Sequence, residues 1–104
     1  MTVFRSWGAR ATPQRVADYL AHFERQVLPM LRRQPGFAGY VMLRRGLTRG
    51  QVAIEVQTRW RSLDDIRAFA GPDIERAVVG PEADALLIDY DRTVSHWTVE
   101  AEGR

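Results

Sequence analysis

The sequence contains no cysteine, no lysine and no asparagine, and all fifteen of its basic residues are therefore arginine. The lack of cysteine excludes disulfides, thiolate nucleophiles and cysteine-ligated metal sites. The lack of lysine excludes a lysine Schiff base, and the lack of asparagine excludes N-glycosylation. Covalent chemistry of cysteine or lysine is thereby removed from the functions that this chain can perform.

Long apolar runs and targeting signals are also missing. No apolar stretch approaches the roughly 18 residues that a membrane span needs. The first five residues lack the charged start and the long apolar segment of a signal peptide. We therefore expect a cytoplasmic protein with no membrane partner, and a chain of 104 residues that forms one domain over 1–104.

The charge balance and the absent motifs narrow the function further. The net charge is only +2, and acidic residues are interspersed with the arginines, so we expect no nucleic-acid partner. The sequence has no G-x-G-x-x-G, no Walker loop and no G-x-S-x-G elbow. Nicotinamide binding, nucleotide triphosphate binding and serine hydrolysis therefore have no support.

The spacing of apolar residues predicts helices and strands in a simple order. Alternation predicts strands at 2–10, 37–45, 51–60 and 90–100. Thr12 as N-cap and Pro13 predict the start of the first helix, and Pro29 should kink this helix or end its regular part. Ser62 and Asp65 resemble a capping box before the second helix, which Gly71 ends. Residues 73–80 and 81–87 are predicted as two further short helical pieces.

The order strand, helix, strand, strand, helix, strand predicts an α+β fold of the ferredoxin-like βαββαβ type. One four-stranded antiparallel sheet then carries helices on one face. Bulky apolar or aromatic residues also fall on the other face, so that face needs a cover. The simplest cover is a second copy of the same sheet, which predicts a homodimer.

His96 is the candidate catalytic residue, because imidazole gains and loses a proton near neutral pH. The spacing places it on the same strand face as Val94 and Thr98. A half-buried histidine that hydrogen-bonds backbone or the dimer partner is the competing interpretation. His22, at the margin of the first helix's apolar stripe, is expected to be exposed.

Five other residues are candidates for substrate binding. Trp7 and Trp60 offer flat indole rings suited to an aromatic substrate, and Tyr40 can hydrogen-bond a phenol or quinone oxygen. Arg44 or Arg59 can steady an oxyanion. Packing in the core or at an interface is the competing interpretation for the aromatic residues, and exposed ion pairs for the arginines.

We predict no metal site. Asp89 and Asp91 can share a strand face, but such a pair is typical of a solvated strand entrance. His22 and His96 are far apart in the sequence, and no ligand spacing of a known type is present.

Several motifs together resemble those of the antibiotic biosynthesis monooxygenase family, in particular its branch of small bacterial proteins. The resemblance covers about residues 4–99. Its motifs are Trp7-Gly8, Gln34-Pro35-Gly36-Phe37, Trp60-Arg61-Ser62, Phe69-Ala70-Gly71-x-Asp73, Pro81-Glu82-Ala83 and Val94-x-His96-Trp97.

The resemblance implies a dimeric α+β barrel and an oxidation that uses molecular oxygen. Characterised members of the family oxidise polyketide-like phenols to quinones without flavin or metal. The resemblance therefore implies no cofactor and a small aromatic partner. His96 would be the base or hydrogen-bond partner. Trp7, Tyr40 and Trp60 would hold the rings, and Arg44 or Arg59 would stabilise the oxyanion.

Two alternatives accompany this interpretation. A haem-degrading branch of the family uses an asparagine on the first strand and a histidine on the second helix. This chain has no asparagine, and Ala70 occupies the histidine position, so haem degradation by that mechanism is disfavoured. The other alternative is a non-catalytic, ligand-binding or stress-linked protein on the same dimeric fold, because fold alone does not determine function.

Overall fold

A computed structural model describes residues 1–104 and contains one five-stranded antiparallel sheet with helices on one face. The strands are β1 (Val3–Ala11), β2 (Phe37–Gly46), β3 (Val52–Trp60), β4 (Asp89–Tyr90) and β5 (Ser95–Thr98). The helices are α1 (Pro13–His22), α2 (Leu28–Arg32), α3 (Leu63–Ala70) and α4 (Pro81–Leu86). A π-helical turn, Phe23–Val27, joins α1 to α2, and a 3₁₀ turn, Thr48–Gly50, joins β2 to β3. The predicted α+β class and antiparallel sheet are confirmed.

The two central strands, β1 and β3, point alternate side chains toward the helices and toward the other face of the sheet. In β3 every second residue is buried beneath the helices, and Trp60 at its end has no exposed surface. The antiparallel register sets Val3 opposite Trp60, Arg5 opposite Thr58 and Trp7 opposite Val56. Arg5 and Trp7 therefore point toward the helices along with the apolar residues of β3.

The first helical segment runs from Pro13 to Arg32 with a π turn in the middle. Leu28 donates its backbone N–H to the carbonyl of Phe23, five residues back. Pro29 follows immediately, and a proline has no N–H to give to the carbonyl of the preceding turn. The irregularity predicted at Pro29 thus takes the form of a π turn just before it. Thr12 holds the N-cap position but makes no side-chain capping bond.

The capping of α3 is confirmed. Ser62 Oγ accepts a hydrogen bond from the backbone N–H of Asp65 at 3.1 Å and donates one to the Asp65 carboxylate at 2.9 Å. Gly71, at φ 92°, follows the last helical residue and ends the helix in a conformation that glycine adopts without strain.

Two boundary predictions are wrong. Residues 73–80 are not helical, and the predicted strand 90–100 is broken into β4 and β5. Both differences have one cause, because the segment before α4 pairs with the segment between β4 and β5. Ala77 donates to the carbonyl of Arg92, Val94 donates to the carbonyl of Glu75, and Arg76 and Thr93 form an isolated bridge.

The helices cover one face of the sheet and leave the other face open within the single chain. Val41, Leu43 and Trp97 on that open face are 41%, 47% and 63% exposed. The register places Trp97 of β5 opposite Phe4 of β1 on this side. No helix has both the length and the apolar character that crossing a membrane requires.

Candidate functional site

A cavity of about 100 Å³ lies between the helices and the covered face of the sheet. Eleven of its fifteen lining residues are hydrophobic. Its aromatic walls are Trp7, Tyr19, Phe23 and Phe69, and its aliphatic lining includes Val27, Leu31, Val56, Val78, Val79, Ala83 and Val94. A mostly apolar lining with few polar groups is typical of small-molecule sites, and this cavity is smaller than most of them.

Trp7 is the predicted binding residue that the structure places in the cavity wall. Its ring packs between Tyr19 and Tyr90, with centroid separations of 6.2 and 5.9 Å. Its indole Nε1 donates to the backbone carbonyl of Asp91 at 2.8 Å, which fixes the orientation of the ring. Burial raises the pKa of the neighbouring Tyr19 phenol above its usual range, so Tyr19 remains a neutral hydroxyl at physiological pH.

Arg5 is the charged residue that lies deepest in this site, with 6% of its surface exposed. Its Nη1 donates to the carbonyl of Ile74 and its Nη2 donates to the carbonyl of Arg76 at 2.9 Å. Its guanidinium also lies 5.9 Å from the centroid of the Phe69 ring. Burial lowers the pKa of Arg5 to about 10, which still leaves it protonated at neutral pH.

His96 lies beside Arg5 at the edge of the site and is not among the cavity-lining residues. Its Nε2 is 3.0 Å from Arg5 Nη1. Because arginine can only donate, Nε2 is the acceptor and His96 is neutral in this arrangement. Burial, and then the positive charge of Arg5, lower the pKa of His96 from its ordinary value, while Glu75 opposes them.

His22 lines the cavity, and the prediction that it is exposed is wrong. Its side chain is only 13% exposed, and its Nδ1 lies 3.5 Å from the Glu82 carboxylate of α4. The π turn that begins at the next residue and the docking of α4 against α1 both bring this histidine inward.

The structure places Trp60 and Tyr40 behind the cavity rather than in its lining. Trp60 stacks on Phe69 at 5.4 Å and donates its Nε1 to Thr58 Oγ1 at 2.8 Å. Tyr40 packs against Phe23 with a centroid separation of 5.0 Å. Each of these two residues therefore supports an aromatic wall of the cavity.

Arg44 and Arg59 lie away from the cavity. Arg44 is exposed near the far end of β2, where it borders a second, more polar pocket of about 230 Å³. Arg59 lies on the open face, above the Phe4 ring at 5.2 Å, and pairs with Glu102. The Nε of Arg59 is buried without a hydrogen-bond partner.

The two carboxylates of the last strand region both bind Arg10. Arg10 donates from Nε to Asp89 and from Nη1 to Asp91, the latter at 2.9 Å. These bonds raise the pKa of Arg10. No group of three or more histidine, aspartate and glutamate side chains is placed to share a metal ion.

Sequence reasoning did not single out Arg5 as a site residue. The signal was present, since Val3, Arg5 and Trp7 alternate on one strand and the two apolar members mark the buried face. An arginine on the buried face of a strand is uncommon and needs an explanation.

No protein-family model and no curated protein matches this chain. Solved structures match it over nearly the whole length. A proposed antibiotic biosynthesis monooxygenase from Bacillus cereus matches with a TM-score of 0.66 at 14% identity, over 99% of this chain and 97% of that one. SnoaB, a cofactor-independent oxygenase from Streptomyces nogalater, matches with a TM-score of 0.56 at 20% identity, over 97% and 94%.

A dimeric ferredoxin-like protein from an uncultured marine organism also matches, with a TM-score of 0.58 at 11% identity, over 99% of this chain and 100% of that one. The chain has the fold of the antibiotic biosynthesis monooxygenases. At these identities the likeness extends to the fold, and the cavity's own residues must carry the argument about function.

Proposed function

We propose that this chain is a homodimeric member of the antibiotic biosynthesis monooxygenase family that oxidises a small aromatic phenol with molecular oxygen and no cofactor. The observation that carries the proposal is the apolar cavity between helices and sheet, with its walls of Trp7, Tyr19, Phe23 and Phe69. Aromatic walls of this kind suit a flat ring and exclude water from it.

The reaction that fits this site balances without an external reductant. An anthrone-type phenol loses a proton, and the anion passes one electron to oxygen. Recombination forms a carbon–oxygen bond, and loss of water then leaves a quinone carbonyl. One oxygen atom remains in the product and the other leaves as water, which carries away both hydrogens of the ring CH₂ group.

The predicted residues take distinct roles under this proposal. His96 Nε2 accepts the phenol proton, and Trp7 holds the ring by stacking. Tyr40 and Trp60 act from behind, through Phe23 and Phe69. Arg59, on the open face of the sheet, lies toward the second copy of the chain.

The proposal of a homodimer is based on the open face of the sheet. Val41, Leu43 and Trp97 form an apolar patch there that one chain leaves uncovered. The marine ferredoxin-like protein of the same fold is dimeric. A second copy that places the same face against this one covers both patches at once, as a two-fold symmetric interface requires.

Oxygen uptake by the purified protein on anthrone, without added cofactor, tests the oxygenase proposal. We expect uptake by the unmodified protein, and its loss in His96→Ala and in Val79→Trp, which fills the cavity. Leu20→Trp is the matched control, because Leu20 is on α1 but outside the cavity and should retain activity. Equal uptake in all four proteins would contradict the proposal.

One observation favours the non-catalytic alternative, in which the cavity only binds a ligand. His96 Nε2 already accepts a hydrogen bond from Arg5, so it must give up that bond before it can accept a proton. If the alternative holds, His96→Ala will bind an aromatic ligand with unchanged affinity, and neither form will consume oxygen.

A further inference from the structure

We propose that Arg5 makes the cavity a site for an organic anion, an aromatic molecule with one negatively charged oxygen group. This inference rests on the proposed function only in taking the cavity as the ligand site. It names the class of ligand as a phenolate or an aromatic carboxylate, and it assigns the charge recognition to Arg5 rather than to Arg44 or Arg59.

The first observation is that the buried charge of Arg5 has no countercharge. Its three hydrogen-bond acceptors are two backbone carbonyls and a neutral imidazole. None of the seven ion pairs in the structure includes Arg5. Burying a cation without an anion is costly, and such groups are ordinarily paired.

The second observation is how firmly the guanidinium is positioned. The carbonyls of Ile74 and Arg76 hold its two terminal nitrogens from the loop that leads to α4, and His96 holds Nη1 from β5. These partners orient the group without neutralising it. A fixed cation in a poorly solvated site attracts an oxyanion more strongly than one in water.

The third observation is the surroundings of the charge. Arg5 lines a cavity whose other walls are mostly apolar, including Phe69 and Val94, and no acidic side chain lines it. A ligand that matches both features has a flat apolar body and a single anionic oxygen group. The planar guanidinium matches a carboxylate or a phenolate in geometry.

The same arrangement accounts for a role of His96 during deprotonation. As a phenol bound at Arg5 gives up its proton, Nη1 can transfer its hydrogen bond from His96 Nε2 to the forming phenolate oxygen. The Nε2 lone pair, 3.0 Å from Nη1, is then free to accept that proton. Arg5 thus links release of the imidazole to stabilisation of the anion.

Calorimetric titration with benzoate and with its neutral isostere benzamide tests the proposal. We expect the unmodified protein to bind benzoate about tenfold or more tightly than benzamide, because a charge-assisted bond exceeds a neutral one by that much. In Arg5→Gln the ratio should fall to near one. Arg59→Gln is the matched control, since it removes an arginine from the other face of the sheet, and it should keep the original ratio.

A second variant keeps the test informative where Arg5→Gln fails to fold. His96→Glu places a carboxylate against the guanidinium, so it should abolish the preference for benzoate while Arg5 is still present. A ratio near one in the unmodified protein, or a ratio that survives both variants, would overturn the proposal. Oxygen uptake on anthrone separates it from the proposed function, because a benzoate preference without any uptake supports the anion site and contradicts the oxygenase.

Discussion

At the scale of single residues, the three tryptophans occupy three different environments. Trp7 lies in the cavity wall, Trp60 is fully buried in the core, and Trp97 is 63% exposed on the open face. The indole ring is the same in each case, so its surroundings determine its role. Trp7 is thus placed for ligand binding, Trp60 for stability and Trp97 for association.

The pKa of His96 gives a prediction at this scale. In the folded chain it should lie below 6.5, first because of burial and second because of the Arg5 charge. Arg5→Gln removes the second cause, so the His96 pKa should rise toward 6.5 in that variant. NMR titration of the imidazole measures both values. A pKa that does not move would show that Arg5 exerts no electrostatic effect on this histidine.

The same shift has a consequence for stability. A histidine whose folded pKa is lowered binds fewer protons in the folded state than in the unfolded chain. Above the unfolded pKa of 6.5, His96 is neutral in both states and does not change the free energy of unfolding. As the pH falls below 6.5, the unfolded chain binds the proton first, so the free energy of unfolding declines. His96→Gln should weaken this decline in urea unfolding measured at pH 5 and pH 8.

Single residues were also the hardest to predict from the sequence. Trp7 was recognised because its flat indole ring suits an aromatic ligand and because Trp7-Gly8 resembles a motif of the family. Arg5 alternates with Trp7 on the same strand, but an arginine in a strand ordinarily indicates solvent. Its importance depends on the carbonyls of Ile74 and Arg76, about seventy residues later in the chain, and no local pattern reveals those contacts.

At the scale of secondary-structure elements, the two N-caps of α1 and α3 make a matched pair. Ser62 caps α3 through its side chain, whereas Thr12 makes no such bond at α1. Ser62→Ala should lower the free energy of unfolding by about 1 kcal/mol. Thr12→Ala should change it by only a few tenths of a kcal/mol, roughly the spread of a neutral surface substitution.

Urea denaturation of the two variants checks this prediction. Equal losses would show that the Ser62 hydrogen bonds do not hold the start of α3. The Asp65 carboxylate provides a second readout, because Arg61 and then Ser62 hold its pKa below the usual value. In Ser62→Ala that pKa should rise, and it is measurable by NMR titration.

Elements were predictable where local signals agreed. The alternation in β3, the Ser62 cap and Gly71 each specify their conformation within a few residues, and the structure agrees. Residues 73–80 carry no comparable signal. Their backbone groups find partners near Thr93, so a tertiary pairing replaces the predicted helix and breaks the last strand.

At the scale of the whole molecule, the order of elements was sufficient to predict the α+β class and the antiparallel sheet. Short connections leave few ways to join such a series of strands and helices. The cavity could not be predicted in the same way. Its walls come from β1, β3, α1, the π turn, α2, α3, α4 and two loops, and the way these pack together determines its shape.

The whole molecule is predicted to associate as a homodimer. Light scattering should give a mass about twice the 11.9 kDa of one chain. Leu43→Glu places a charge in the apolar patch of the open face and should shift the mass toward that of one chain. Leu20→Glu is the control, because Leu20 is similarly exposed on the helical side and should leave the dimer intact.

The central claim, that the cavity is the ligand site, can be tested most directly by the three indole N–H signals in an NMR titration with 2-naphthol. Trp7 lines the cavity, so its signal should shift most, that of Trp60 behind the wall should shift less, and that of Trp97 should stay nearly unchanged. Shifts confined to Trp97 would place the ligand on the open face of the sheet. That result, or no shift at all in the Trp7 signal at saturation, would contradict the account.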